Sequence, residues 1–292
     1  MFKRQKMKKD LEEKVNKILI NAGDLSFRRR VVEIINILDI KENETILDCG
    51  CGDGFYLVVL RNLYPTIKIV GLDYDDKILL KAKEFIKKDS LTEILKGRIE
   101  NLPFKDEFFD KIILSEVLEH LDDDAYGLKE IYRVLKNKGK LIITVPNHNY
   151  PFFWDPLNWI RERLGLGHFN KDNETFAGLW SMHLRLYYPK EIKKLVEEAG
   201  FKINKIKMLT HYCFPFSQII LHLGKQYLRK MAHSKKVTDT MEKFNWNAEN
   251  KESIAIFRFG QKLLEKIDNY NNEKIFDINV SSHGILLLCQ KL

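Results

Sequence analysis

The chain has 292 residues, a formal net charge of +8 and four cysteines, and 45% of its residues are hydrophobic. Such a chain can bury a sizeable core, and it has no run of the ~18–20 apolar residues that cross a membrane. The cysteines at 49, 51, 213 and 289 do not form a disulfide framework, and no apolar run follows the basic N-terminus as in a signal peptide. We therefore expect a cytoplasmic protein.

Residues 1–40 are predicted to be helical, and they carry the triple arginine Arg28-Arg29-Arg30 at the start of an amphipathic helix. Cations at a helix N-terminus oppose the helix dipole, so the cluster either meets an anionic substrate or membrane headgroups, or is simply exposed to solvent. Elsewhere lysines alternate with acidic residues on amphipathic faces, a pattern that argues against a nucleic-acid partner.

The most informative segment follows, where the apolar strand Ile46–Cys49 enters a loop with glycine at positions 50, 52 and 54. A helix is predicted from Phe55. A second apolar strand, Ile67–Leu72, ends in Asp73, whose carboxylate could accept hydrogen bonds from the two hydroxyls of a ribose. One glycine loop is a weak signal, but this context predicts a nucleoside-bearing cofactor across the ends of two parallel strands.

Strands and helices alternate from residue 44 to 147, which predicts a parallel sheet covered on both faces. One helix follows Asp122-Asp123-Asp124 and carries apolar residues at helical spacing up to Leu135. Another begins at Pro189 and stops at Gly200. The strand Phe201–Met208 and the apolar run Gly284–Cys289 are predicted to pair.

Five further motifs occur in a fixed order. They are Asn101-Leu102-Pro103-Phe104, Phe108–Ser115, Glu116-Val117-Leu118-Glu119-His120, Glu130–Lys136 and Leu141–Asn147. Together with the glycine loop, they resemble the class I S-adenosylmethionine-dependent methyltransferases, most closely the small-molecule branch that includes the quinone-pathway enzymes. A nicotinamide-dependent dehydrogenase shares the glycine loop and the acidic residue, but is not expected to carry the later motifs.

The resemblance implies an α/β fold, doubly wound, with a mostly parallel seven-stranded sheet, a C-terminal antiparallel hairpin and helical insertions. We expect one methyltransferase domain over residues 1–292. It would carry the N-terminal helical segment 1–40, an aromatic cap insertion at 148–188 and a helical insertion at 211–280.

The resemblance also implies that S-adenosyl-L-methionine is the cofactor. The glycine loop would hold its methionine end with Asp48 near the amino group, Asp73 would hold the ribose, and Tyr74 would lie against the adenine. Arg98 replaces the acidic residue that usually contacts the adenine amino group, which leaves the backbone N–H of Ile99 for that contact. The predicted cofactor-binding residues are Asp48, Gly50, Cys51, Gly52, Gly54, Asp73, Tyr74, Ile99 and Ser115.

Methyl transfer needs alignment of the acceptor and, for a hydroxyl acceptor, a general base. The histidines at 120, 148, 183 and 211 are the candidates, although each could equally be a hydrogen-bonded loop residue. Glu116, Glu119 and His120 resemble a cluster that binds a divalent metal in some related enzymes. Because enzymes without metal carry it too, we expect a structural role and no metal site.

We thus predict methyl transfer to a small, hydrophobic or amphipathic acceptor. The alternatives are a metal-assisted RNA 2′-O-methyltransferase and a non-catalytic, cofactor-binding regulator. An apolar helix near 216–230 with a basic end could bring the protein to a membrane surface, where the N-terminal lysines would add to the attraction; it could also be a lid over the pocket. The sequence does not indicate an oligomeric state.

Overall fold

The structure is a computed structural model that describes residues 2–19, 24–86, 89–173, 176–213, 216, 227, 264–271 and 278–292, with side chains from residue 10 onward. Its helices are α1 Phe2–Ile18, α2 Leu25–Leu38, α3 Phe55–Leu63, α4 Asp76–Phe85, α5 Asp124–Val134, α6 Pro156–Arg163 and α7 Pro189–Glu198. Its strands are β1 Thr45–Cys49, β2 Lys68–Asp73, β3 Thr92–Lys96, β4 Phe109–Ser115, β5 Leu135–Pro146, β6 Phe201–Leu209 and β7 Gly284–Lys291.

The strands form one seven-stranded sheet in the order β3-β2-β1-β4-β5-β7-β6. The pairs β1–β2, β1–β4, β2–β3 and β4–β5 are parallel. Strands β1, β2 and β4 are buried along nearly their whole length, as in a parallel sheet with helices on both faces. The carboxyl ends of β1, β2 and β4 therefore meet at one edge of the sheet.

The end of the sheet is antiparallel. The backbone N–H of Asn147 donates to the His283 carbonyl, and the N–H of Ser282 donates to the Asn149 carbonyl. Residue numbers therefore increase along one segment in the direction in which they decrease along its neighbour, which is an antiparallel pairing. On its other side, the N–H of His283 donates to Thr210, just after β6. The predicted fold class is confirmed.

Local capping explains where several helices begin. The Asp75 side chain accepts from the N–H of Lys77 and Ile78 at the start of α4, and the Asp123 side chain accepts from Tyr126 N–H before α5. Helix α7 begins at Pro189 as predicted.

One predicted boundary was wrong. Leu135, expected within the helix, is the first residue of β5: its N–H still bonds Ile131, but its ψ of 135° is already extended.

The described chain divides into two compact units. The sheet unit comprises Ile34–Pro146, Tyr187–Lys207 and Ile285–Leu292, and the insertion unit comprises Met1–Glu33, Asn147–Leu186 and Met208–Gly284. The second unit thus gathers most of the three segments that were expected to elaborate the core, while the expectation of a single domain stays a prediction. Much of the insertion 211–280, including nearly all of the helix near 216–230, lies outside the described residues.

No helix in the described part of the chain is both long and apolar enough to span a bilayer. Two arginines of the cluster Arg28-Arg29-Arg30 form ion pairs within the protein, which neither of the two expectations for this cluster included. Arg28 forms an ion pair with Glu265 at 2.9 Å, and Arg29 forms one with Asp268 at 2.7 Å, all within the insertion unit. These arginines therefore join separate segments of that unit.

Candidate active site

The glycine loop between β1 and α3 is held against the end of β2. The N–H groups of Gly50 and Cys51 both donate to the carbonyl of Leu72, at 2.7 and 3.0 Å. The next N–H, of Gly52, donates to Asp73 Oδ2 at 2.9 Å. The loop glycines and Asp73, separated in sequence, are thus brought together at the sheet edge where ligands bind in open α/β folds.

The loop requires glycine for two reasons. Gly50, Gly52 and Gly54 have φ angles of 79°, 53° and 83°, in the left-handed region that a Cβ disfavours. A Cβ on Gly50 would also lie 2.5 Å from the Val117 side chain, and one on Gly54 would lie 2.9 Å from Ala82. The backbone therefore presents a tight cradle at the N-terminus of α3, which suits close approach to a polar ligand.

Asp48 contributes a buried carboxyl group to this site. Its side chain is buried, and its Oδ2 has no hydrogen-bond partner among the described residues. Burial raises the pKa of Asp48 well above its usual value, and the nearby charges of Asp73 and Asp53 raise it further. A cationic ligand group beside this carboxylate would remove that cost, which fits the amino group of the cofactor's methionine end.

Asp73 accepts hydrogen bonds from the protein backbone and can also accept them from a ligand. Its Oδ2 accepts from Gly52 N–H and its Oδ1 accepts from Asp75 N–H at 3.1 Å. Each carboxylate oxygen can accept a second bond, so Asp73 can still receive the two hydroxyls of a ribose. Tyr74 follows it with 63% of its surface exposed, which leaves its ring open to an adenine.

The region beyond β3 differs in its side chains from the usual pattern. Arg98 is exposed and pairs with Glu100 at 3.4 Å. Ile99 is buried, so its side chain belongs to the core and only its backbone could contact a nucleobase. This agrees with the role expected for Ile99, which stays a prediction.

The two loop cysteines are not reactive groups. Cys49 and Cys51 are both buried and unbridged. Burial raises the pKa of each thiol, and the charge of Asp48 raises it further. Protonated thiols are poor nucleophiles and poor metal ligands, which supports the view of them as small residues in a tight loop.

A chain of hydroxyl groups near the end of β4 includes Ser115, which was predicted to bind the cofactor, and two residues that the sequence did not single out, Tyr56 and Thr144. Tyr56 Oη lies 3.1 Å from Ser115 Oγ, and Ser115 Oγ lies 2.9 Å from Thr144 Oγ1. Thr144 donates in turn to Glu116 Oε1 at 3.0 Å. Glu116 has a φ of 56°, a strained conformation of the kind that often occurs at functional sites. The signal was Thr144, a polar residue in the otherwise apolar run Leu141–Val145.

Of the three residues that resemble a metal-binding cluster, Glu116 thus accepts a hydrogen bond from Thr144. Glu119 is fully buried, and its Oε1 lies 4.0 Å from His120 Nε2. His120 ends a short 3₁₀ turn, Leu118–His120, in the sheet unit.

Comparison with known proteins decides the family. A methyltransferase-domain model matches residues 47–143, which include the glycine loop, Asp73, Tyr56 and Ser115 and end one residue before Thr144. A demethylmenaquinone methyltransferase of Thermotoga maritima is 32% identical over 213 residues, which cover 70% of this chain and 87% of that protein. The one from Bacillus cytotoxicus is 26% identical over 255 residues, with 75% and 98% of the two chains covered.

The chain belongs to the class I S-adenosylmethionine-dependent methyltransferases. It is an enzyme of the small-molecule branch, similar to the quinone-pathway methyltransferases, and its cofactor is S-adenosyl-L-methionine.

Solved structures agree on the fold. The phosphoethanolamine N-methyltransferase 2 of Haemonchus contortus, in complex with S-adenosyl-L-methionine, has a TM-score of 0.53 at 18% identity, with 90% of this chain and 52% of that one covered. A [4+2]-cyclase gives 0.51 at 16% identity, with 90% and 81% covered.

In this methyltransferase the remaining candidate bases lie in the insertion unit. The His148 ring meets Trp180 edge-on at 5.9 Å, and the backbone N–H of His183 donates to the Trp180 carbonyl at 3.1 Å. Sequence reasoning missed His168, whose ring stacks on Trp180 at 3.8 Å. His148 and His183 are thus brought to one tryptophan, whereas His120 belongs to the sheet unit.

The aromatic residues of the first insertion serve more than one purpose. Tyr150, Trp154 and Trp180 are buried in the insertion unit's own core, where Tyr150 also donates to Glu162 at 2.8 Å. Phe152, Phe153 and Phe176 are exposed. Only some of the aromatic residues of the predicted cap insertion are therefore core residues.

Proposed function

We propose that this methyltransferase acts on a small hydrophobic ring acceptor that carries a hydroxyl group, in the class of reduced quinones. The observation that carries the proposal is the extent of the similarity to the Thermotoga maritima demethylmenaquinone methyltransferase. It runs over 213 residues, well beyond the segment 47–143 that matches the methyltransferase-domain model. Resemblance beyond the cofactor-binding segment supports a related acceptor.

The residues of the sheet unit would bind the cofactor. The glycine cradle and Asp48 would hold its methionine end, and Asp73 would hold the ribose. When bound, the cofactor supplies a methyl group on a sulfonium, which is an excellent leaving group. The protein's own task is to place the acceptor in line and to exclude water.

The insertion unit carries two of the candidate bases. His148 and His183, next to Trp180, offer imidazoles. We infer that His148 or His183 accepts the acceptor's hydroxyl proton as the oxygen, or the ring carbon that it activates, becomes nucleophilic. His120 is the third candidate.

The direct test is turnover of a defined acceptor. Purified protein with isotopically labelled cofactor is incubated with a chemically reduced 1,4-naphthoquinone that lacks a ring methyl, and in parallel with total small RNA. We expect label in the naphthoquinol and none in RNA. The variants His148→Gln and His183→Gln should separate the two bases, since the variant of the true base loses turnover while S-adenosylhomocysteine binding is retained.

Two other results would overturn the proposal. Label in RNA alone would favour a 2′-O-methyltransferase. Tight cofactor binding with no transfer to naphthoquinol or to a broader lipid extract would favour a cofactor-binding regulator.

A further inference from the structure

Exposed apolar side chains concentrate in one stretch of the insertion unit. Phe153 is 54% exposed, Leu164 69% and Leu166 60%. Phe152 and Ile160 are exposed as well. These five residues, which we call the 152–166 face, lie just before, on and just after helix α6.

Contacts join these residues into one surface. The Phe152 ring lies 5.2 Å from that of Phe153 and 5.1 Å from that of Trp159. Ile160 and Leu164 are four residues apart, so they lie on the same side of the helical segment. The face thus comprises an aromatic group before and on α6 and an apolar group at the end of α6 and in the turn after it.

The turn that carries the two leucines is ordered and projects outward. The N–H of Leu166 donates to Arg161 O at 2.9 Å, and Arg161 Nη2 donates back to Leu166 O at 3.0 Å. Yet a Cβ built on Gly165 or Gly167 would have no atom of the described residues within 4 Å. The fold thus fixes Leu164 and Leu166 at a projecting turn, away from any core.

Cationic groups border the apolar side chains. The last turn of α6 carries Arg161 and Arg163, and the Arg163 guanidinium lies 3.4 Å over the Trp159 ring. Of the nearby acids, Asp155 is buried and Glu162 accepts the Tyr150 hydroxyl. Arg161 and Arg163 outnumber the partly exposed Glu162, so the net charge beside the face is positive, as is that of the whole chain at +8.

We propose that the 152–166 face docks on an anionic lipid bilayer. Leucine and phenylalanine side chains would enter the interfacial region while the arginines stay at the level of the headgroups. A symmetric contact with a second copy would bring the same arginines of both copies together, which like-charge repulsion opposes. An anionic surface satisfies both the apolar side chains and the cations. The assignment does not depend on which acceptor the enzyme methylates.

Vesicle sedimentation tests the proposal. The full-length protein is mixed at low salt with vesicles of phosphatidylcholine containing about a third phosphatidylglycerol. The variant Leu164→Asn/Leu166→Asn replaces the two leucines of the projecting turn. We expect its partition coefficient between vesicles and water to fall at least about tenfold. Leu80→Asn is the matched control, because Leu80 on α4 is 62% exposed but lies outside the face. It should bind vesicles like the unaltered protein.

Every outcome decides the proposal. Failure of the unaltered protein to pellet with these vesicles would overturn it, as would equal pelleting of the double variant. Self-association in sedimentation velocity that the double variant abolishes would assign the face to a second copy instead. Calorimetry of S-adenosylhomocysteine binding checks that all variants are folded, and failure of that binding in the unaltered protein would count against the proposed function alone.

Discussion

Asp48 is expected to lower the stability of the sheet unit and to strengthen cofactor binding. Its buried carboxyl group has a raised pKa, so between the usual value of 3.8 and this raised value the folded protein holds a proton that the unfolded chain has released. Asp48 therefore costs stability as pH rises through that window. Binding of a cationic amino group requires the ionised form, so cofactor affinity should rise with pH over the same window.

We predict that Asp48→Asn stabilises the ligand-free protein at neutral pH by about 1–2 kcal/mol, because it removes the burial of an uncompensated charge. The same change should weaken binding of S-adenosylhomocysteine at least about tenfold. Thermal unfolding and calorimetry measure the two effects. Calorimetry in buffers of different ionisation enthalpy should show proton release on binding to the unaltered protein at pH values between 3.8 and the raised pKa of Asp48. A variant that is both less stable and equally tight would contradict this role.

Asp73 provides a contrast, because its two oxygens already accept Gly52 N–H and Asp75 N–H. Asp73→Asn keeps one acceptor oxygen and loses the charge. We expect it to weaken S-adenosylhomocysteine binding by ~1–3 kcal/mol through loss of charged hydrogen bonds to the ribose, and also to destabilise the loop. Calorimetry together with unfolding separates this result from that of Asp48→Asn. Unchanged affinity would remove Asp73 from the ribose site.

The residues Glu116, Glu119 and His120 lead to a prediction about metal dependence. Glu116 is oriented by Thr144 through a 3.0 Å hydrogen bond, which gives it a structural partner within the sheet unit. We expect turnover to be unchanged by EDTA. Loss of turnover with EDTA that Mg²⁺ or another divalent ion restores would instead support metal-assisted activation of a hydroxyl acceptor.

Among the elements, helix α6 depends on a polar cluster behind it. Asp155 Oδ2 accepts from Asn158 Nδ2 at 2.8 Å and from Leu179 N–H at 3.0 Å, although burial raises the pKa of this carboxyl. Gly178 has a φ of 56°, and a Cβ there would lie 2.0 Å from that same oxygen. The cluster thus joins the start of α6 to the turn Gly178–Trp180.

Gly178→Ala should therefore destabilise the insertion unit by about 2–4 kcal/mol, because the methyl group displaces the buried carboxylate from its donors. Gly167→Ala is the matched control. Gly167 has a similar φ of 62°, but nothing lies within 4 Å of its Cβ position, so only backbone strain of about 1 kcal/mol is expected. Denaturant unfolding followed by tryptophan fluorescence measures both. Equal costs for the two variants would show that backbone strain alone matters at Gly178.

Sequence reasoning succeeded where local chemistry sets an element. Pro189 and Gly200 bracket α7, and the glycines at 50, 52 and 54 mark the loop because a Cβ is disfavoured at their φ angles. It failed at Leu135, where apolar spacing continues past the end of the helix. It also missed partners that only the fold brings together, such as Tyr56 with Ser115, since Tyr56 does not stand out in its own segment.

At the scale of the whole molecule, the chain passes between the two units repeatedly. Three segments of the insertion unit alternate with three of the sheet unit, and three of the five unit boundaries fall at or near an end of β5, β6 or β7. Unfolding of either unit would release the ends of these strands. Such connectivity favours unfolding of both units in one cooperative transition.

Whether the two units unfold together can be measured, because the tryptophans report on the insertion unit alone. All four, at positions 154, 159, 180 and 246, fall within the chain segments of the insertion unit, whereas Asp48 and Asp73 belong to the sheet unit. We predict that urea unfolding followed by tryptophan fluorescence coincides with unfolding followed by far-UV circular dichroism. S-adenosylhomocysteine at ~100 times its Kd should shift both transitions together, by about 2.7 kcal/mol. A fluorescence transition that comes earlier and ignores the ligand would mean that the insertion unit unfolds independently of the sheet unit.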